Sequence, residues 1–168
     1  GDQLAWGMLH QARRLLKPGG RLLVTRAGMS IRFHETDVRD TGRGTGGVRG
    51  ITLADDDKVI GMAPVRPGTT LLTVCEHGHG KRTDIDDYRL IKRGGKGVIS
   101  IRTSQRNGKV ISLLEVQDSD EIMLMTQSGM TVRSKVSDIS VIGRATQGVR
   151  LINLKADDRL TNATRIEE

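Results

Sequence analysis

RLLVTRAGMSIR, at residues 21–32, is written twice more along the chain with altered letters and the same plan: LLTVCEHGHGKR at 71–82 and IMLMTQSGMTVR at 122–133. Each is an apolar run, a glycine-bearing turn and a second short run that ends in arginine. The surrounding positions keep the register: Gly28, Gly78 and Gly129; Arg32, Arg82 and Arg133; Asp37, Asp87 and Asp138; Arg43, Arg93 and Arg144; then Gly47-Val48, Gly97-Val98 and Gly148-Val149. Every set steps by 50 and then by 51. Five sets in one register are three copies of one supersecondary unit, and a repeat of a few tens of residues settles the architecture before any single element is assigned.

Each copy has the local chemistry of antiparallel strands. In the first, RLLVT and MSIRF flank Arg26-Ala27-Gly28, and glycine supplies the left-handed conformation that a short hairpin loop requires. Gln127-Ser128-Gly129 does the same in the third. After each Gly-Val pair the stretches VRGITL, VISIRT and VRLINL alternate at period two, as half-buried strands do. In copy two, Asn107-Gly108 is expected to join ISIRT to KVISLLEV as a further hairpin. Four antiparallel strands per copy, in tandem copies of about 50 residues, predict an all-β, propeller-like array of three blades. The expected boundaries are a leading segment at 1–20 and blades at 21–68, 69–119 and 120–168.

At 168 residues with 2% aromatics, the core has to come from Ile, Leu, Val and Met, which suits stacked small sheets. The formal charge of +7 and a pI near 10.1 make a polyanion the expected partner. No apolar run reaches the roughly 18–20 residues that cross a bilayer, and no secretory signal opens the chain, so a soluble cytoplasmic protein without membrane contact is expected. The single cysteine, Cys75, cannot form an internal disulfide or a four-cysteine zinc site.

Longer stretches carry a family resemblance: DQLAW at 2–6, GMSIRFHETDVR at 28–39, GGVRGITL at 46–53, GHGKRT at 78–83, RGGKGVISI at 93–101 and VSDISVIGRATQGVRLINL at 136–154. From residue 21 onward the chain closely resembles the C-terminal DNA-wrapping domain of the bacterial DNA gyrase A protein, with its counterpart in topoisomerase IV as the nearest relative. The resemblance implies a β-pinwheel, whose blades exchange a strand with their neighbours and whose basic perimeter carries wrapped DNA. It also implies partners in the rest of the gyrase A protein and in the gyrase B protein, and a nucleoid-associated place in the bacterial cytoplasm. The family domain normally has six blades, and this chain carries three, resembling the last half. GMLHQARRLLKPGGRL at 7–22 departs from the family pattern and reads as an insertion, a short helix or a join to foreign sequence.

The expected DNA contacts are the basic residues at repeated positions. Arg43, Arg93 and Arg144 sit four residues before each Gly-Val pair, with Lys92 and Lys96 around the second, and Arg49 and Arg150 follow the first and third pairs. An array places equivalent side chains at equal steps along one rim, and a duplex presents a charge about every 1.7 Å of axis. The glycines beside them would let main-chain N–H groups approach phosphates; the plain alternative is a solvated loop using arginine for solubility. Arg32, Arg82 and Arg133, with Lys81 and Lys135 nearby, either extend the track or pair with Asp37, Asp87 and Asp138. Curving 20–30 base pairs costs on the order of 1–6 kcal/mol, which several phosphate contacts offset. The alternative function is a protein-interaction propeller whose rim meets an acidic partner or a neighbouring subunit.

Enzyme signals fail on inspection, so no catalytic residue, cofactor or metal is expected in this fragment. Gly42-Arg-Gly44-Thr-Gly46-Gly47 matches G-x-G-x-x-G without the buried strand before it or the helix after it. LLKPGGRLLV resembles a methyltransferase junction with no cofactor loop. Cys75, His77 and His79 alternate, but Gly78 and Gly80 make a turn of the segment and the other copies carry no ligands there. His34 and Glu35 read as surface residues and Asp55-Asp56-Asp57 as a polar turn. Tyr88 matches Val38 and Ile139, so it reads as packing.

Overall fold

The structure, a computed structural model, describes residues 20–39 and 43–167; the leading stretch at 1–19 and Gly42 lie outside them. The chain forms eleven strands among these residues: β1 (Gly20–Thr25), β2 (Met29–His34), β3 (Val59–Val65), β4 (Thr70–Cys75), β5 (His79–Asp84), β6 (Val98–Ile99), β7 (Val110–Val116), β8 (Glu121–Thr126), β9 (Thr131–Lys135), β10 (Val149–Arg150) and β11 (Leu160–Arg165). Single 3-10 turns, Glu35–Asp37, Ile85–Asp87 and Val136–Asp138, follow the second strand of each repeat. His34 and Asp84 cap the first two, each side chain accepting from the main-chain N–H two residues on. Among the described residues no helix is long and apolar enough to cross a membrane.

Every repeat opens with the expected hairpin. β1 pairs with β2 from Gly20 opposite His34 to Val24 opposite Ser30, and Gly28 turns the chain at φ +90°. β4–β5 and β8–β9 repeat it. The third strand of each repeat then returns beside the first: β3 on β1, β7 on β4 and β11 on β8, each with one irregularity in register. β3, β7 and β11 lie side by side as the inner wall, where Ser112 Oγ donates to Ala163 O at 3.3 Å and Arg66 Nε stands 3.7 Å from Glu115 Oε1.

The fourth strand differs from the sequence reading. The stretches after the Gly-Val pairs yield only β6 and β10, two residues each, and no strand at Val48-Arg49. Neither joins its own repeat. β6 of the second repeat pairs with β2 of the first, Val98 opposite Ser30, and β10 of the third pairs with β5 of the second, Val149 opposite Gly80. The sheets therefore read β3-β1-β2-β6, β10-β5-β4-β7 and β11-β8-β9. Asn107-Gly108 is a turn but no hairpin, because its flanking strands belong to different sheets. Gly80 is a strand residue as well, the turn of that hairpin being Glu76–Gly78 in extent.

At the second and third Gly-Val pairs the exchange demands glycine. Gly97 and Gly148 have φ of +77° and +82°, and an added Cβ would collide with the Ser30 carbonyl oxygen at Gly97 and stand 2.6 Å from the Gly80 carbonyl oxygen at Gly148. Both the conformation and the close approach exclude a side chain. Gly97→Ala is therefore expected to cost about 2–4 kcal/mol in urea unfolding, from strain plus a displaced strand; Gly95→Ala, with open space around its Cβ, is the control that should stay near wild type.

Two of the three core clusters lie between blades, and the third, Leu23, Ile31, Phe33, Ile51 and Val59, belongs to the first repeat alone. Leu22, Val24 and Ala63 of the first sheet pack on Leu71, Cys75, Val110 and Leu113 of the second, with Ile85, Tyr88 and Ile101 filling the gap. Leu72, Val74 and Val116 of the second meet Ile122, Leu124, Leu160 and Ala163 of the third in the same way. At about 1.5–3 kcal/mol per large apolar side chain, these layers outweigh the few ladder bonds of a two-residue strand. Packing joins the blades, and the exchanged strand fixes what lies on their outer edge.

Candidate nucleic-acid interface

The exchanged segments form the outer rim. From Tyr88 the second repeat runs along the free side of β2: Ile91 N donates to Arg32 O at 2.9 Å, the chain bulges outward over 92–97, and β6 rejoins the sheet at Val98. The third repeat does the same on β5. Ile142 N donates to Arg82 O at 2.9 Å, the bulge covers 143–148, and β10 closes it.

Successive loops are tied in series. Gly94 N donates to Gly50 O at 2.7 Å, and Thr52 donates through its main-chain N to Gly95 O at 2.8 Å and through Oγ1 to Gly94 O at 2.6 Å. One repeat on, Arg102 N donates to Thr146 O at 2.9 Å, its Nε to Ala145 O at 2.9 Å, and Asn107 Nδ2 to Gln147 O at 3.0 Å. The three glycine-rich loops thus follow one another along a single edge.

Arg93 and Arg144 are half-buried and folded back onto the preceding loop. Arg93 donates from Nε to Asp37 O at 3.0 Å and from Nη1 to Arg49 O at 2.8 Å, and Arg144 donates from Nη1 to Ile99 O, the matching bond one repeat later. Each keeps further N–H groups for an outside acceptor. Arg43, Arg49, Lys92, Lys96, Lys135 and Arg150 are exposed, with Arg150 Nη1 resting on Asn153 Oδ1 at 3.0 Å. Gly97 and Gly148 serve the exchange itself, whereas an added Cβ at Gly44, Gly46 and Gly95 would meet open space.

The arginines that end the second strands do something else. Arg32 Nη1 donates to Ile85 O at 3.1 Å and Tyr88 O at 3.0 Å, gripping the 3-10 turn of the next blade. Arg82 Nη1 takes the equivalent Val136 O and Ile139 O at 3.2 Å each, while Nη2 reaches Asp118 Oδ1 at 2.6 Å and Nε reaches Thr70 Oγ1 at 3.0 Å. Arg133, on the outer edge of its sheet, lies against Glu121, with Nε at 2.7 Å from Oε2. Of the two sequence readings, pairing with Asp37, Asp87 and Asp138 is not what the structure shows: the carboxylates at hand are Asp86, Asp118 and Glu121, Arg32 and Arg82 hold main-chain carbonyls of the neighbouring blade, and Arg133 pairs with Glu121 of its own hairpin. Arg82 is 4% exposed and Lys81 0%. Neither presents its charge at the surface.

Burial governs the titrating groups. Cys75 is pushed up to about 12 by burial and by the Glu76 carboxylate, which leaves an inert thiol. His79 is held below its usual value by burial, then by Arg106 and Arg150. Lys81 is brought down to about 8 by burial and by Arg144. Tyr88 is buried, its hydroxyl 2.8 Å from Ser100 Oγ, and burial raises it. Among the described residues no three His, Cys, Asp or Glu side chains group as metal ligands.

Two features were missed in the sequence. Arg102 and Asn107 strap the rim loop of the third repeat, but their matches in the first copy, Thr52 and Asp57, break the pattern of residue types. Lys58, Lys109 and Arg159, all exposed, recur one residue before β3, β7 and β11. Their steps are 51 and then 50, so a search at the dominant spacing passes over them.

A sequence model described as DNA gyrase C-terminal domain, beta-propeller, matches residues 22–66, 70–117 and 120–167. The chain belongs to the DNA gyrase A C-terminal domain family. It is 46% identical over 147 residues to the DNA gyrase A protein of Salmonella typhimurium, covering 88% of this chain and 17% of that protein. The gyrase A protein from Haloquadratum walsbyi is 48% identical over 143 residues, covering 84% and 17%. The solved structure of a DNA gyrase A C-terminal domain superposes with a TM-score of 0.83 at 28% identity, covering 91% of this chain and 52% of that one. The C-terminal domain of DNA topoisomerase IV shares the fold at a TM-score of 0.82 and 24% identity, covering 89% and 47%. This member of the gyrase A family thus spans about a sixth of the full-length proteins it matches and about half of the solved domain.

Proposed function

We propose that this chain binds double-stranded DNA along its rim and bends it, as a non-catalytic module that supports supercoiling by a gyrase assembled from its A and B proteins on bacterial cytoplasmic DNA. The observation that carries the reading is the series of hydrogen-bonded loops at 43–50, 93–97 and 144–148: Arg43, Arg49, Lys92, Lys96 and Arg150 are exposed in or beside them, and Arg93 and Arg144 bond back onto the preceding repeat. Cations carried on successive loops suit backbone charge and shape, since phosphate contacts position a protein on the duplex without reading sequence. With one Trp, one Tyr and one Phe in the chain, stacking on single strands is disfavoured. A duplex meets successive cations only by curving, and family membership gives that geometry its context.

Nicked circles resealed in the presence of the protein test bending with wrap. The expected result is a linking number displaced from the protein-free value in proportion to bound protein. Unchanged linking at saturation would leave binding without wrapping and overturn the supercoiling role.

A further inference from the structure

Lys81 sits in β5 with no exposed surface, yet the blade does not need a cation there. The matching residues of the other repeats are Ile31 and Val132. Burying an ammonium group is unfavourable unless its three donors find acceptors. All of the acceptors lie in one short piece of the next repeat: Gly143 O at 2.9 Å, the Arg144 carbonyl oxygen, and Thr146 Oγ1 at 3.3 Å. That piece belongs to the rim loop at 143–148.

We propose that Lys81 is a positioning residue for DNA: from inside the second repeat it fixes the rim loop of the third and thereby presents Arg144 and Arg150 to the duplex. The inference rests on the DNA-binding reading above. The loop at 93–97 has no such anchor, because Ile31 offers no donor; it is held from the preceding repeat by Thr52 and by its own Arg93. The third-repeat loop is held by Lys81, Arg102 and Asn107 together. Ordering a loop in advance removes an entropic cost from binding.

The charge of Lys81 also reaches the rim. Burial, then Arg144 of the loop, disfavours its protonation, while Asp87 of the adjoining 3-10 turn favours it, leaving Lys81 at about 8. Cys75, at about 12, and Tyr88, raised above its usual value, stay neutral through that range. A phosphate at the loop stabilises the charged lysine, so the bound state holds its proton to higher pH than the free state. Affinity therefore falls as pH rises through about 8.

Duplex affinity between pH 7 and 9, with amide exchange over 143–148, tests this on wild type, Lys81→Ile and Lys81→Arg. Isoleucine is what the first repeat carries at this position, so the fold is expected to accept it. Lys81→Ile should bind about ten-fold more weakly at pH 7, with faster loop exchange and no fall above pH 8, the size of one or two lost side-chain orderings. Lys81→Arg should keep the affinity and lose the pH dependence. Equal affinity and equal loop exchange in Lys81→Ile and wild type would overturn the proposal. A wild type that fails to bind duplex would overturn the binding reading, while the loop-exchange contrast would still show whether the anchor exists.

Discussion

Alanine at Arg43, Arg49, Lys92 and Lys96 together is expected to weaken duplex binding by about a thousand-fold at about 0.1 M salt. The estimate follows from counterion release: each phosphate neutralised contributes about 0.9 to the slope of log K against log salt, so four contacts carry a slope of about 3.6. All four side chains are exposed, and the one main-chain contact here, Arg49 O accepting from Arg93, survives truncation. Stability should therefore stay within about 0.5 kcal/mol of wild type. Titrations of an arbitrary duplex at several salt concentrations give the slope directly. A steep wild-type slope that flattens in the variant supports phosphate tracking; a flat wild-type response favours a rim built for an acidic protein.

How much of this was legible in the sequence depends on the distance over which each interaction acts. The hairpins were legible because Arg26-Ala27-Gly28 and Gln127-Ser128-Gly129 carry their own turn chemistry, and the repeat because its period recurs at Gly28, Arg32 and Gly47-Val48. The residues alone did not give the destination of the fourth strand. Val98 pairs with Ser30, 68 positions away, and a local pattern that alternates correctly says nothing about whose edge it joins; only the family resemblance pointed to exchange. Arg32 and Arg82 stayed ambiguous for the same reason. Their partners are carbonyl oxygens 53–57 positions on, and a carbonyl leaves no trace in residue type.

The chemistry of the basic loops was only partly legible. The repeat put Arg43, Arg93 and Arg144 at matching positions, and the structure brings their loops into one series. What it adds is that Arg93 and Arg144 are partly committed to the protein, which divides the basic residues into those that hold the edge and those that face outward.

Arg82→Met should be the most damaging of the three strand-end substitutions, with a loss of about 3–5 kcal/mol in urea unfolding. Arg82 is buried and bonded to four acceptors, two of them main-chain carbonyls of the next blade. Methionine fills the volume and satisfies none of them, so the buried Val136 and Ile139 carbonyls lose charge-assisted partners. Against a total of about 5–15 kcal/mol for a small domain, that loss threatens the fold. Arg32→Met should cost less, because its side chain is 20% exposed and water replaces part of the interaction. Arg133→Met should be nearly neutral, since that side chain is 55% exposed and pairs with Glu121 across its own hairpin. The order Arg82, Arg32, Arg133 is the expected result, and duplex affinity per folded molecule should be unchanged in Arg82→Met. Equal losses at all three positions, or a salt slope reduced by Arg82→Met, would return these arginines to the DNA track and remove the inter-blade clamp from the account of what joins the repeats.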